Sequence, residues 1–150
     1  MSLITGIQSI VNTLNPDGTF FLSSKFKANR SSFDVSSTNT PLVILDNELP
    51  KDCEIAKNNN FLENTRLVIT ILKFDDPLST DIQQNVIVED CEALARRIIF
   101  NIFQLFYVRP TAGIQNYAIT PAFNVFATSM SGCIIDMRVR VSLVTDVCLI

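Results

Sequence analysis

The groups in this chain that could do chemistry are paired acids, arginines and thiols; the 150 residues contain no histidine. That removes the commonest general base, the usual metal ligand and the Ser-His or Cys-His nucleophile systems. A carboxylate or lysine enzyme stays open. Asp75-Asp76 could hold a metal or divide acid and base roles. The pair precedes Pro77, and a turn accounts for it more simply. Glu89, Asp90 and Glu92 form a second acidic group, and favourable charge at a helix start is the plainer account of it. Cys53, Cys91, Cys133 and Cys148 are scattered singly with no C-x-x-C pair, which gives a zinc site little support. Cys91 lies in a helical pattern and Cys133 in a strand pattern, so both read as small core residues in a reducing compartment. The chain has four glycines, none of them in a phosphate-cradling pattern. No catalytic, cofactor-binding or metal-ligating residue is expected, and the chain does not read as an enzyme.

Arg138 and Arg140 stand in the most regular stretch of the sequence. Residues 135–143, I-D-M-R-V-R-V-S-L, alternate apolar and polar without a break. This fits a strand with one buried face and a second face carrying Asp136, Arg138, Arg140 and Ser142. The two arginines could meet phosphates or a partner's carboxylates. They could equally form cross-strand ion pairs within their own sheet. A net charge of -3 argues against a dedicated nucleic-acid binder.

The elements that must position these residues can be read along the chain. Leu3, Ile7, Ile10 and Leu14 make one helical stripe, capped by Ser2 and ended by Pro16-Asp17-Gly18. Thr19 to Ala28 reads as a half-buried strand, Asn29 to Pro41 as a loop, and Leu42 to Leu45 as a brief apolar strand. Residues 46–64 show little periodicity and read as a long loop, and loops of that length are usually functional or mobile. Arg66 to Phe74 is the most buried-looking strand, apolar toward both faces. Thr80 with Gln83 forms a capping box for a long helix reaching about Tyr107. The β-branched run Val86-Ile87-Val88 moves the expected start of that helix toward Glu89. Its apolar arc is wide enough to meet either a neighbouring subunit or the N-terminal helix, and the latter is the simpler reading. Arg109 to Asn116 reads as a loop. Tyr117 to Thr128 is extended, and Pro121 confines it to a sheet edge or a bulge. Ser131-Gly132 reads as the turn into the final strand.

The order α-β-β-β-α-β-β predicts one α+β domain over residues 1–150. It is a small two-layer sandwich with an antiparallel sheet packed by one long helix and a short N-terminal helix. Residues 1–14 lack the basic start and cleavage site of a secretion signal. The apolar runs fall short of the roughly 20 residues that cross a membrane, so a soluble protein made in the cytosol is expected.

This order of elements, with the segment Phe123 to Ile135 (F-N-V-F-A-T-S-M-S-G-C-I-I), resembles the tail terminator (tail completion) proteins of tailed bacteriophages and their head-tail connector relatives. The resemblance is topological and spans nearly the whole chain. It implies a structural virion protein that forms a ring homo-oligomer, a hexamer or in some connectors a dodecamer. Such a ring meets neighbouring tail-tube, neck or portal-adaptor proteins, and DNA passes through it only as cargo. By this likeness residues 46–64 are the element that reaches the next ring. Lys57, Asn59 and Phe61 on it join Asp136, Arg138 and Arg140 as candidate interface residues. Phe61 is either an exposed anchor or a side chain folded back on the core. A ring would also use the strand edge at Tyr117 to Thr128, which carries no lysine to guard it. The competing reading is a small cytosolic domain that binds a peptide or protein by strand addition at that edge.

Overall fold

The computed structural model describes residues 3–23, 41–46, 50–56, 60–75, 78, 80–106, 113–125 and 130–142. Two helices and six strands follow in the order α1 (Leu3–Leu14), β1 (Thr19–Ser23), β2 (Leu42–Asp46), β3 (Lys51–Ala56), β4 (Asn60–Phe74), α2 (Asp81–Phe106), β5 (Gly113–Val125) and β6 (Met130–Ser142). The strands form one sheet in the order β1-β2-β4-β6-β5, with β3 also paired to β4. The expected α+β sandwich is therefore present. The pairs are antiparallel except β1 with β2, which is parallel and runs Thr19↔Leu42 to Ser23↔Asp46.

One face of the sheet makes the core. Leu67, Ile69 and Ile71 of β4 alternate inward beside Cys133, Ile135, Met137 and Val139 of β6 and Val43 and Leu45 of β2. Cys91, Leu94, Ala95, Ile98, Ile99 and Ile102 of α2 pack onto them, as do Ile7 and Val11 of α1. α1 lies against α2, so the N-terminal helix covers part of the wide apolar arc. Its buried line is centred on Ile7 and Val11, with Ile4, Ile10 and Leu14 at the flanks. Leu42, Ile44 and Leu72 have the opposite parity and are buried too, in keeping with the two-sided apolar reading of Arg66 to Phe74.

Four local expectations are corrected. Residues 46–64 are not a structureless loop: β3 and the first part of β4 form an antiparallel hairpin, with Ala56 opposite Asn60 and Lys51 opposite Thr65. That pairing rests on backbone hydrogen bonds and a shared edge, for which sequence periodicity carries no signal. β6 takes the other side of the same stretch of β4, from Leu62↔Ser142 onward. Ser131-Gly132 lies inside β6 and is not a turn. A Cβ at Gly132 would come within 1.9 Å of the Ile71 carbonyl oxygen, so close backbone approach accounts for this glycine. β5 starts at Gly113, inside the expected Arg109–Asn116 loop. α2 starts at Asp81, because the capping box outweighs the β-branched run. Gln83 N–H donates to Thr80 Oγ1 at 3.3 Å, and Thr80 N–H donates to Gln83 Oε1 at 2.9 Å.

A buried polar cluster locks the start of α2 to the sheet. Asp75 Oδ2 accepts from Ser131 Oγ at 2.9 Å and from Gln84 Nε2 at 2.9 Å. Asp75 and Ser131 are both almost fully buried. The first acid of the Asp75-Asp76 pair thus joins the end of β4, α2 and the start of β6, which is a structural use of a carboxylate.

Candidate interaction surface

Two surfaces stand out, a polar sheet face and a sheet edge that is unpaired among the described residues. The polar face is built by β4, β5 and β6. Arg66 lies opposite Arg138 in the β4–β6 register, and Arg138 lies opposite Asn116 on β5. Strand alternation puts Asp136, Arg138 and Arg140 on the side away from the helices. Arg66 grips Asp136 with two bonds, Nε to Oδ1 at 3.1 Å and Nη2 to Oδ2 at 2.6 Å. This hydrogen bonding holds the Asp136 carboxyl below its ordinary range, against an opposing effect of burial and with further help from the Arg66 and Arg138 charges. The same bond raises the Arg66 guanidinium. Arg138 Nη1 lies 3.8 Å from Asp52 Oδ2 on β3. Arg140 Nε donates to Asn64 Oδ1 at 3.2 Å. A shallow depression of about 410 Å³ opens among Arg66, Asn116, Ala118, Asp136 and Arg138.

The structure therefore brings Asp136, Arg138 and Arg140 together and gives each a partner within the sheet, the cross-strand alternative of the sequence reading. Phe61 lies on β4 opposite Ile55, in the hairpin. Lys57 and Asn59 lie outside the described residues. The partners Arg66, Asp52 and Asn64 were not legible as site residues. They sit in sequence far from Asp136 to Arg140, and only the strand register joins them.

The bare edge is β5. It bonds to β6 along one side, and no strand pairs with its other side among the described residues. Its thirteen residues, G-I-Q-N-Y-A-I-T-P-A-F-N-V, include no charged side chain. Pro121 sits on this edge strand, and a register irregularity follows between Ala122 and Val125, as the proline implied. Exposed aromatic residues border the strand: Tyr117 and Phe123 on β5, and Phe100 and Phe103 on α2. Phe100, in the last third of α2, is 60% exposed. The α2–β5 flank encloses an open depression of about 680 Å³.

Two of the thiols, Cys91 and Cys133, are buried, Cys53 is exposed on β3, and Cys148 lies outside the described residues. Desolvation pushes Cys91 and Cys133 up to about 12, so both stay protonated near neutral pH. Among the described residues no group of His, Cys, Asp or Glu could hold a metal, and no helix is long and apolar enough to cross a membrane. No protein-family model matches the sequence, and no curated protein matches it.

Proposed function

We propose that this chain is a structural ring subunit of a tailed-bacteriophage virion, acting at the head-tail junction as a tail terminator or neck connector. The observation that carries the proposal is the β5 edge. A thirteen-residue uncharged edge strand beside exposed aromatics invites pairing with another chain. Contacts between two different patches that close by rotation use such an edge without open-ended growth. The β3–β4 hairpin takes the place of the reaching loop as the element directed at neighbouring tail-tube, neck or portal-adaptor proteins. DNA is cargo in this reading, consistent with the net charge of -3.

The alternative, a protein-binding domain that captures a peptide strand, draws on the same edge. Native mass spectrometry with negative-stain imaging of the purified chain separates the two. The ring reading expects one closed stoichiometry, six or twelve copies, and annular particles. It also expects Ala118→Lys combined with Thr120→Lys to abolish the ring while leaving the fold intact. A chain that stays below three copies at about 100 µM would sink it.

A further inference from the structure

The solvent-facing stripe of α2 has an order that packing against its own sheet does not explain. Ile82 and Val86 stand exposed near its start, and Phe100 and Phe103 stand exposed near its end. Ile82 and Phe100 are about five helical turns apart and share one azimuth. Between them lie Glu89 and Asp90, then Ala93, then Arg96 and Arg97, all exposed. The stripe therefore reads apolar, acidic, small, basic, apolar.

This order matches its own reverse. Lay a second α2 antiparallel across the first with Ala93 over Ala93. Glu89 then faces Arg97 of the copy, Asp90 faces Arg96, and Val86 faces Phe100. The same pairs recur on the other side of the two-fold axis. Ala93 at the crossing lets the helix axes approach to about 8–10 Å. The apolar start of each helix meets the depression of about 680 Å³ bounded by Phe100, Phe103, Ile114 and Tyr117 of the other. A parallel arrangement would instead stack acid on acid and arginine on arginine, so the charge order selects the antiparallel one.

The charges are available for this. Asp90 lies 3.6 Å from Lys73, and Arg96 lies 3.4 Å from Glu92. Asp90 and Arg96 are the exposed members of these pairs, Lys73 and Glu92 being only about a fifth exposed, and such long surface contacts are weak enough to be exchanged for intermolecular ones. Glu89 and Arg97 form no salt bridge among the described residues.

We propose that the exposed stripe of α2 is a two-fold contact with a second copy of this chain, the helices antiparallel and crossing at Ala93. The contact is separate from strand pairing at the β5 edge and does not depend on the ring reading. Combined with a closed ring, it would join two rings face to face.

The test uses the full chain carrying Ala118→Lys and Thr120→Lys, so that edge association is silent, and reads mass by sedimentation equilibrium. The expected result is a dimer at concentrations up to about 100 µM. Adding Arg96→Glu with Arg97→Glu makes the stripe acidic throughout and weakens self-association at least tenfold, by about the penalty of facing like charges. Adding Glu89→Arg with Asp90→Arg instead does the same with the opposite sign. An equal mixture of these two chains forms a heterodimer, since each then faces its complement. Ala93→Tyr, which leaves every charge in place, widens the crossing and also weakens the dimer about tenfold, in line with the cost of overpacking. Each chain is first shown to unfold cooperatively in urea. The proposal is overturned if the edge-silenced parent is monomeric, if either reversed chain dimerises as well as the parent, if the mixture stays monomeric, or if Ala93→Tyr changes nothing. Loss of the ring in the unmodified chain is a separate result that bears only on the β5 edge.

Discussion

The two halves of β4 teach opposite lessons about one strand. From Leu67 to Phe74 it runs between β2 and β6, and Leu67, Ile69, Ile71 and Leu72 are fully buried. From Asn60 to Arg66 it runs between β3 and β6, and its described contacts include Arg66 with Asp136, Lys51 with Glu63 and Arg140 with Asn64. The first half is held by apolar burial. Among the described residues the second shows backbone pairing, ion pairs that water screens and the Arg140–Asn64 hydrogen bond. Stability should therefore sit almost wholly in the first half, leaving the second free for recognition.

Substitutions along the strand can break that contrast. The largest effect is expected from Ile69→Ala, which empties a fully buried site under α2. Urea denaturation should show a loss of about 4 kcal/mol. Gly132→Ala should follow, at about 3 kcal/mol, because the new methyl meets the fixed Ile71 carbonyl and not a side chain that can yield. Asp75→Ala should cost about 2 kcal/mol, since it strips Ser131 and Gln84 of a buried acceptor. For the second half, Asp136→Asn on β6, which weakens the grip of Arg66, should cost less than any of these in the same urea measurement. A loss equal to that of Asp75→Ala would mean that the polar half is structural after all.

Titration sharpens the comparison further. The folded carboxyl of Asp136 is depressed, mainly by its hydrogen bonds from Arg66. The unfolded chain therefore binds the proton more readily, and stability rises with pH between the folded and unfolded values. The contribution is fully present above the ordinary carboxylate range, near pH 4, and is lost as pH falls through the folded value. The difference between wild type and Asp136→Asn, measured by thermal denaturation across pH, should be small near neutrality and vanish in stronger acid. It should also shrink as salt is added.

How legible each part was follows from the same physics. Arg66 to Phe74 could be read because two-sided burial writes a continuous apolar run into the sequence, and α2 because one-sided burial writes a periodic stripe. The capping box at Thr80 and Gln83 and the edge proline at 121 could be read because local backbone chemistry requires particular residues. The strand formed by residues 51–56 could not, because K-D-C-E-I-A is too short and too polar a run to show a period. Gly132 looked like a turn because a glycine needed for close approach is the same letter as one needed for a bend. At the polar surface, the alternation around Asp136 gave its orientation. The register that brings Arg66 and Asp52 to it is set by strands seventy or more residues away.

The pairing of β4 with β6 bears on how the protein is made. β4 is the strand to which β2, β3 and β6 all bond. A ribosome that has just released Phe74 must still add all of α2 and β5 before Met130 appears, a delay of seconds at ordinary elongation rates. Throughout that interval one side of β4 has no partner, and Ile69 and Ile71 lack the β6 half of their core. Nascent chains interrupted before residue 130 should therefore depend heavily on chaperones.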